Sequence, residues 1–130
     1  MEQKGDIVDS ADGRGRTPLC IALKYGHVQV IAYLLEKGAN PTYRTKRKQT
    51  PLGYAAQGGS DAALGFLLDT SCTEVNQAGR MGRTPLWLAV SRGHISIVET
   101  LLAQQAHPDA KDDAGWIPLS CAAEKGGLRP

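Results

Sequence analysis

A short phrase recurs four times along this chain at nearly constant spacing. Thr17-Pro18-Leu19-Cys20-Ile21-Ala22 returns as Thr50-Pro51-Leu52-Gly53-Tyr54-Ala55 and again as Thr84-Pro85-Leu86-Trp87-Leu88-Ala89. A last copy, Ile117-Pro118-Leu119-Ser120-Cys121-Ala122, keeps the Pro-Leu and the Ala. The steps are 33 (17 to 50), 34 (50 to 84) and 33 (84 to 117). Repetition at such a period means a stack of like units, each unable to bury its apolar face alone. A stack has no single central cleft, so this feature favours binding over catalysis.

Each Thr-Pro is the start of a helix. The threonine hydroxyl at N-cap accepts a bond from an otherwise unpaired N–H, and proline at the first helical position lacks the donor that would go unpaired there. The spacing predicts a first helix over about Pro18 to Tyr25, stopped by Gly26, and a second opened by His27. Val28, Val30, Ile31, Leu34 and Leu35 give that second helix one broad apolar face. Gly38 ends it in the left-handed conformation that glycine adopts cheaply. A polar, turn-rich loop then leads to the next Thr-Pro. Gly59, Gly93 and Gly126 repeat the phase of Gly26, and Leu67-Leu68 and Leu101-Leu102 that of Leu34-Leu35. Small Ala22, Ala55, Ala89 and Ala122 let neighbouring units approach closely. Composition agrees: 42% hydrophobic but only 5% aromatic residues suit helices packed through Leu, Ala, Val and Ile, and argue against a β-sandwich.

These motifs, with Gly26-His27, Gly93-His94, Lys37-Gly38-Ala39-Asn40, Val75-Asn76 and Gly82-Arg83-Thr84-Pro85, resemble an array of ankyrin repeats. The resemblance implies an all-α solenoid of helix-turn-helix units joined by β-hairpin-like fingers. It also implies a non-catalytic module that binds proteins through the fingers and first helices. Residues 1–16 read as the end of a preceding repeat and its finger. Full units follow at 17–49, 50–83 and 84–116, then a partial one at 117–130. Both ends look cut, so a fragment of a longer array or larger protein is expected, with a small complete protein bearing minimal caps as the alternative. The sequence departs from the family at Cys20, Gly53, Trp87 and Ser120, where histidine is frequent, and at Lys48, which replaces the finger glycine seen as Gly15, Gly82 and Gly115. With Gly53 and Gly65 inside its helices, the second unit is expected to be the softest.

Catalytic and ligand constellations are not apparent. Cys20, Cys72 and Cys121 are far apart and lack the spacing of a zinc site. Cys20 and Cys121 read as small buried hydrophobes, and a reducing cytoplasmic or nuclear setting is expected. Cys20 and His27 have no acid placed to orient the imidazole. His27 and His94 occupy helix starts, where an imidazole caps or packs. Asp109, Asp112 and Asp113 lack the glycine and closing glutamate of an EF-hand; Asp112, in phase with Asp12, is read as part of a solvated turn. No phosphate-loop pattern occurs, no cofactor is implied, and no apolar run reaches the length of a membrane span.

The sharpest functional signal is the charge of the projecting positions. Finger one carries Arg14 and Arg16; finger two, Arg44, Lys46, Arg47 and Lys48; finger three, Arg80, Met81 and Arg83. The ends of the first helices carry Lys24-Tyr25, Gln57 and Ser91-Arg92, and the fourth finger changes sign, with Asp112 and Asp113 beside Trp116. Stacking would align them as one stripe, expected to engage an acidic peptide or protein surface, with Tyr25, Met81, Trp87 and Trp116 as candidate apolar anchors. Solvated fingers that merely aid solubility are the plain alternative. Others are a scaffold or regulatory segment of a larger protein, or a weak binder of nucleic acid or anionic lipid through Lys46-Arg47-Lys48. A net charge of only +2 and the lack of a row of stacking aromatics disfavour nucleic acid. The resemblance also marks Asn76 as a candidate for hydroxylation, since asparagine in the Val-Asn slot is an oxygenase target in animals.

Overall fold

The computed structural model describes residues 9–70 and 73–119. They form three helix pairs: α1 (Pro18–Tyr25) with α2 (Val28–Glu36), α3 (Pro51–Gly58) with α4 (Asp61–Leu68), and α5 (Pro85–Arg92) with α6 (Ile95–Ala103). A single 3-10 turn spans Arg80–Gly82, and no strand occurs among the described residues. The inner helices α1, α3 and α5 stack in chain order, α2, α4 and α6 form a second layer, and each pair packs internally.

Local chemistry sets these boundaries. Thr17, Thr50 and Thr84 accept from the amides of Cys20, Gly53 and Trp87 at 3.3, 3.0 and 3.1 Å, with proline next in each case. Gly26, Gly59 and Gly93 close the inner helices in the left-handed conformation, at φ 71°, 78° and 74°. Ser60 caps α4 through its hydroxyl, whereas His27 and His94 make no cap bond. The histidines pack instead. His94 Nε2 lies 3.0 Å from the carbonyl of Gln57, and His27 stacks on Tyr25.

The core lies between the layers. Leu19, Leu23, Ile31, Ala55, Leu64, Leu67, Ala89, Ile97 and Leu101 are almost fully buried. Only the first leucine of each pair points inward; Leu35 and Leu68 are half-buried and Leu102 is exposed. Val30, expected on the apolar face of α2, is also exposed. Gly53 is a close-packing position, because a Cβ there would meet Leu88 Cδ1 and Thr50 Oγ1 at 3.3 Å. Gly65 has open space around it. The Cys121, Ala122 and Gly126 expectations, Cys72, and the remnant over 1–8 lie outside the described residues.

Four fingers repeat one turn. Asp12, Thr45, Gly79 and Asp112 each donate their amide to the carbonyl four residues on, in Arg16, Gln49, Arg83 and Trp116, at 2.9–3.0 Å. Gly15, Lys48, Gly82 and Gly115 each return a bond to the first residue of the turn. All four sit at positive φ, Lys48 at 69°. The turn keeps constant phase with the following Thr-Pro, so the extra residue of the 34-residue step falls between positions 67 and 79.

Candidate functional site: a cationic depression across three fingers

The charged residues of the fingers divide by what they touch. One group ties successive fingers together. Lys46 Nζ donates to the carbonyl of Gly13 at 3.3 Å, and Arg44 Nη2 to that of Ala78 at 2.8 Å. Arg83 pairs with Asp112 at 3.4 Å, and its guanidinium carbon lies over the Trp87 ring, 4.0 Å from the centroid. The Trp87 indole N–H donates to the carbonyl of Trp116 at 3.2 Å, and the Asp113 amide to that of Met81 at 2.9 Å. Trp87 is therefore only 3% exposed and occupies the repeat interface rather than a surface anchor position.

Asp112 is likewise not a solvated turn residue. Its side chain is 2% exposed and accepts from the amides of Trp116 (2.9 Å) and Ala114 (3.0 Å) and from Arg83. Burial opposes its ionisation. The Trp116 amide, the Arg83 guanidinium and the Ala114 amide outweigh that cost, and its pKa is lowered. In finger one, Asp12 makes the matching bonds to Arg14 and Arg16 while exposed, and the Arg16 amide leads in lowering its pKa. Thr45 supplies one such bond to Gln49 in finger two.

A second group converges on one depression. Arg14 and Arg16 of finger one, Arg47 of finger two and Arg80 of finger three line it, with Lys24 and Arg92 from the ends of α1 and α5. Gln49, Tyr54 and Gln57 complete it, and this open depression has a volume of about 360 Å³. Among the described residues no acidic side chain lines the depression. Arg16 is held by Asp12 at 2.8 Å; the other five cations have no carboxylate partner among the described residues. Between Tyr25 on α1 and Arg92 on α5, the middle unit carries Gly58, where a Cβ would run into the carbonyls of Lys24 and Leu23. That glycine keeps α1 and α3 close and leaves a gap in the inner row of side chains.

Of the expected partner-contacting residues, the stack thus gathers Arg14, Arg16, Lys24, Arg47, Arg80 and Arg92. Arg44, Lys46, Lys48, Arg83 and Asp113 lie outside the depression, as do the exposed Tyr25, Met81 and Trp116. Two lining residues were not singled out from sequence, Gln49 and Tyr54. The Tyr54 hydroxyl donates to Gln49 Oε1 at 2.7 Å, and burial raises its pKa. The available clue was phase: Gln49 stands where Arg16 and Arg83 stand in the neighbouring units.

Other candidates resolve into structural roles. Cys20 is fully buried, accepts the Thr17 hydroxyl at 3.4 Å, and has its pKa raised by burial, while His27 is exposed. Asn76 braces two units: its Oδ1 accepts from the His107 amide at 2.8 Å, and its Nδ2 donates to the Gln105 carbonyl at 3.3 Å. Asp9 does the same for the Asn40 amide at 3.0 Å.

A family model described as ankyrin repeats (3 copies) matches residues 2–78, 41–112 and 64–129. The chain belongs to the ankyrin-repeat family. Ankyrin repeats are generally non-catalytic protein–protein interaction modules, and the all-α stack described above is their architecture. The chain is 29% identical over 121 residues to human transient receptor potential cation channel subfamily A member 1, covering 93% of this chain and 11% of that protein. It is 38% identical over 104 residues to the mouse protein fem-1 homolog A-like, covering 80% and 15%. With mouse ankyrin repeat and SOCS box protein 16 the figures are 33% over 116 residues, 83% and 25%. This ankyrin array therefore spans a quarter or less of each of these relatives. No helix among its described residues is long and apolar enough to cross a membrane.

Proposed function

We propose that this ankyrin array is a non-catalytic recognition module, a segment of a larger protein, that binds an acidic protein surface through its cationic depression. One observation carries the reading: six basic residues from three fingers and two inner helices share a concavity that no acid among the described residues lines. Fingers charged only for solubility would scatter both signs. Here Asp12 and Asp112 are spent on turns and ties, and the exposed Asp113 of the fourth finger lies outside the depression. Tyr25, Met81 and Trp116, exposed outside the depression, are the apolar residues free to add contacts. The longer relatives support placement within a larger chain, where such a module positions or regulates what it is joined to. The free cysteine Cys20 is compatible with a reducing compartment, cytoplasm or nucleus. Asn76, whose side chain makes two bonds across the repeat boundary, stays the candidate for hydroxylation.

The test is charge reversal. A fluorescent peptide of alternating Glu and Gly is titrated with the wild-type chain and with the double variant Arg47→Glu/Arg80→Glu. A loss of about tenfold or more in affinity is expected, since each reversal replaces attraction by repulsion. Thermal unfolding should hardly move, because both side chains are exposed and untied. Equal affinity for the two proteins would overturn the reading.

A further inference from the structure

Resting on that reading, we infer that the depression is built for a phosphorylated serine or threonine of the partner, rather than for glutamate or aspartate. The first argument is charge. Arg14, Lys24, Arg47, Arg80 and Arg92 approach one space without a carboxylate among the described residues to compensate them. A glutamate brings one negative charge, whereas a phosphoserine brings about −1.5 to −2 at neutral pH. Mutual repulsion of the five cations is relieved far better by the dianion.

The second argument is direction. Finger one, finger two, finger three and the ends of α1 and α5 each send a donor, so the donors come from several sides. A planar carboxylate is satisfied by a single guanidinium fork, while a phosphate presents three terminal oxygens in different directions. Four of these five cations are arginines, the side chain that matches phosphate in two-point contact. Because Gln49 Oε1 already accepts the Tyr54 hydroxyl, its amide NH2 is left as a neutral donor on the same wall. The roughly 360 Å³ of space admits a phosphorylated side chain with part of its backbone.

The third argument separates protein from nucleic acid. Single strands are held by aromatic faces on which bases stack. Among the described residues that line this depression the aromatic one, Tyr54, is 4% exposed and has no open face to offer.

The test is a titration of isotope-labelled chain followed through backbone amide and arginine side-chain NMR shifts, at about 0.15 M salt so that long-range charge is screened. The probes are one Gly/Ala-rich decapeptide bearing serine, glutamate or phosphoserine at its centre, and a single-stranded DNA decamer. The phosphoserine peptide should bind about tenfold or more tightly than the glutamate one, shifting Arg14, Arg47, Arg80 and Arg92, and the serine peptide should not bind. Arg80→Gln and Arg92→Gln should each weaken the phosphopeptide by about fivefold or more. Glutamate binding as well as phosphoserine would overturn the phosphate inference and leave the acidic-surface reading in place. Absence of shifts with the phosphopeptide would do the same where the Glu-rich peptide of the preceding test binds. Tighter binding of the DNA decamer would overturn both.

Discussion

At the scale of single residues, the repeat register turns odd residues into predictions. Lys48 and Gln105 hold positive φ, 69° and 71°, in slots where sister units carry Gly15 or Gly82 and Gly38. A side chain there strains the backbone by about 1 kcal/mol. Lys48→Gly and Gln105→Gly are therefore expected to stabilise the chain, each by several tenths to about 1 kcal/mol in urea unfolding. The strain was readable in sequence for Lys48, because the finger glycine recurs at fixed distance from each Thr-Pro. What could not be read was which charges are spent. Arg80 and Arg83 look alike as letters, yet one lines the depression and the other is locked between Trp87 and Asp112. Asp112 gives the matching pH prediction. Its pKa is lowered in the fold, so its stabilisation is complete above the unfolded carboxyl's value of about 4 and drains away as pH falls through the folded value. Asp112→Asn should therefore lower stability at pH 7 and flatten the acid limb of the curve below about pH 4. An unchanged acid limb would mean that other carboxylates govern it.

At the scale of elements, two helical glycines of the middle unit have opposite signs. Gly65 in α4 has nothing within 4 Å of where its Cβ would lie, so Gly65→Ala gains the helix propensity of alanine, about 1 kcal/mol. Gly58 ends α3 against the backbone of α1, where the carbonyl oxygen of Leu23 would lie 2.8 Å from an added Cβ. Backbone cannot swing aside, so Gly58→Ala should cost about 1–3 kcal/mol despite the better propensity. Melting the two variants side by side checks the contrast. Helix existence, order and ends were legible because Thr-Pro starts and glycine stops are chemical punctuation. The sign at Gly58 was not legible, since it depends on how far one unit stands from the next. The same limit explains Gly53, which sequence suggests is a weak point and which packs against Leu88 across the repeat boundary.

At the scale of the whole molecule, a chain of net charge +2 presents one strongly cationic face, because stacking sorts its charges by position in the repeat. Formal charge describes the far field and the depression sets the near one. An acidic partner should consequently be steered onto this face at a rate that depends on salt. The Debye length falls from about 30 Å at 0.01 M to about 8 Å at 0.15 M ionic strength. Within that range the association rate with a Glu-rich peptide, followed by stopped flow, should drop by about tenfold or more, while dissociation changes little. The variant Arg47→Glu/Arg80→Glu should lose most of this dependence. Reversing charge at Lys46, which lies outside the depression and ties finger one, should lower stability yet leave the rate's salt slope largely intact. Were both variants to flatten the slope equally, the relevant field would be that of the fingers at large. The convergence of Arg14, Lys24, Arg47, Arg80 and Arg92 on one space would then have no special part in recognition.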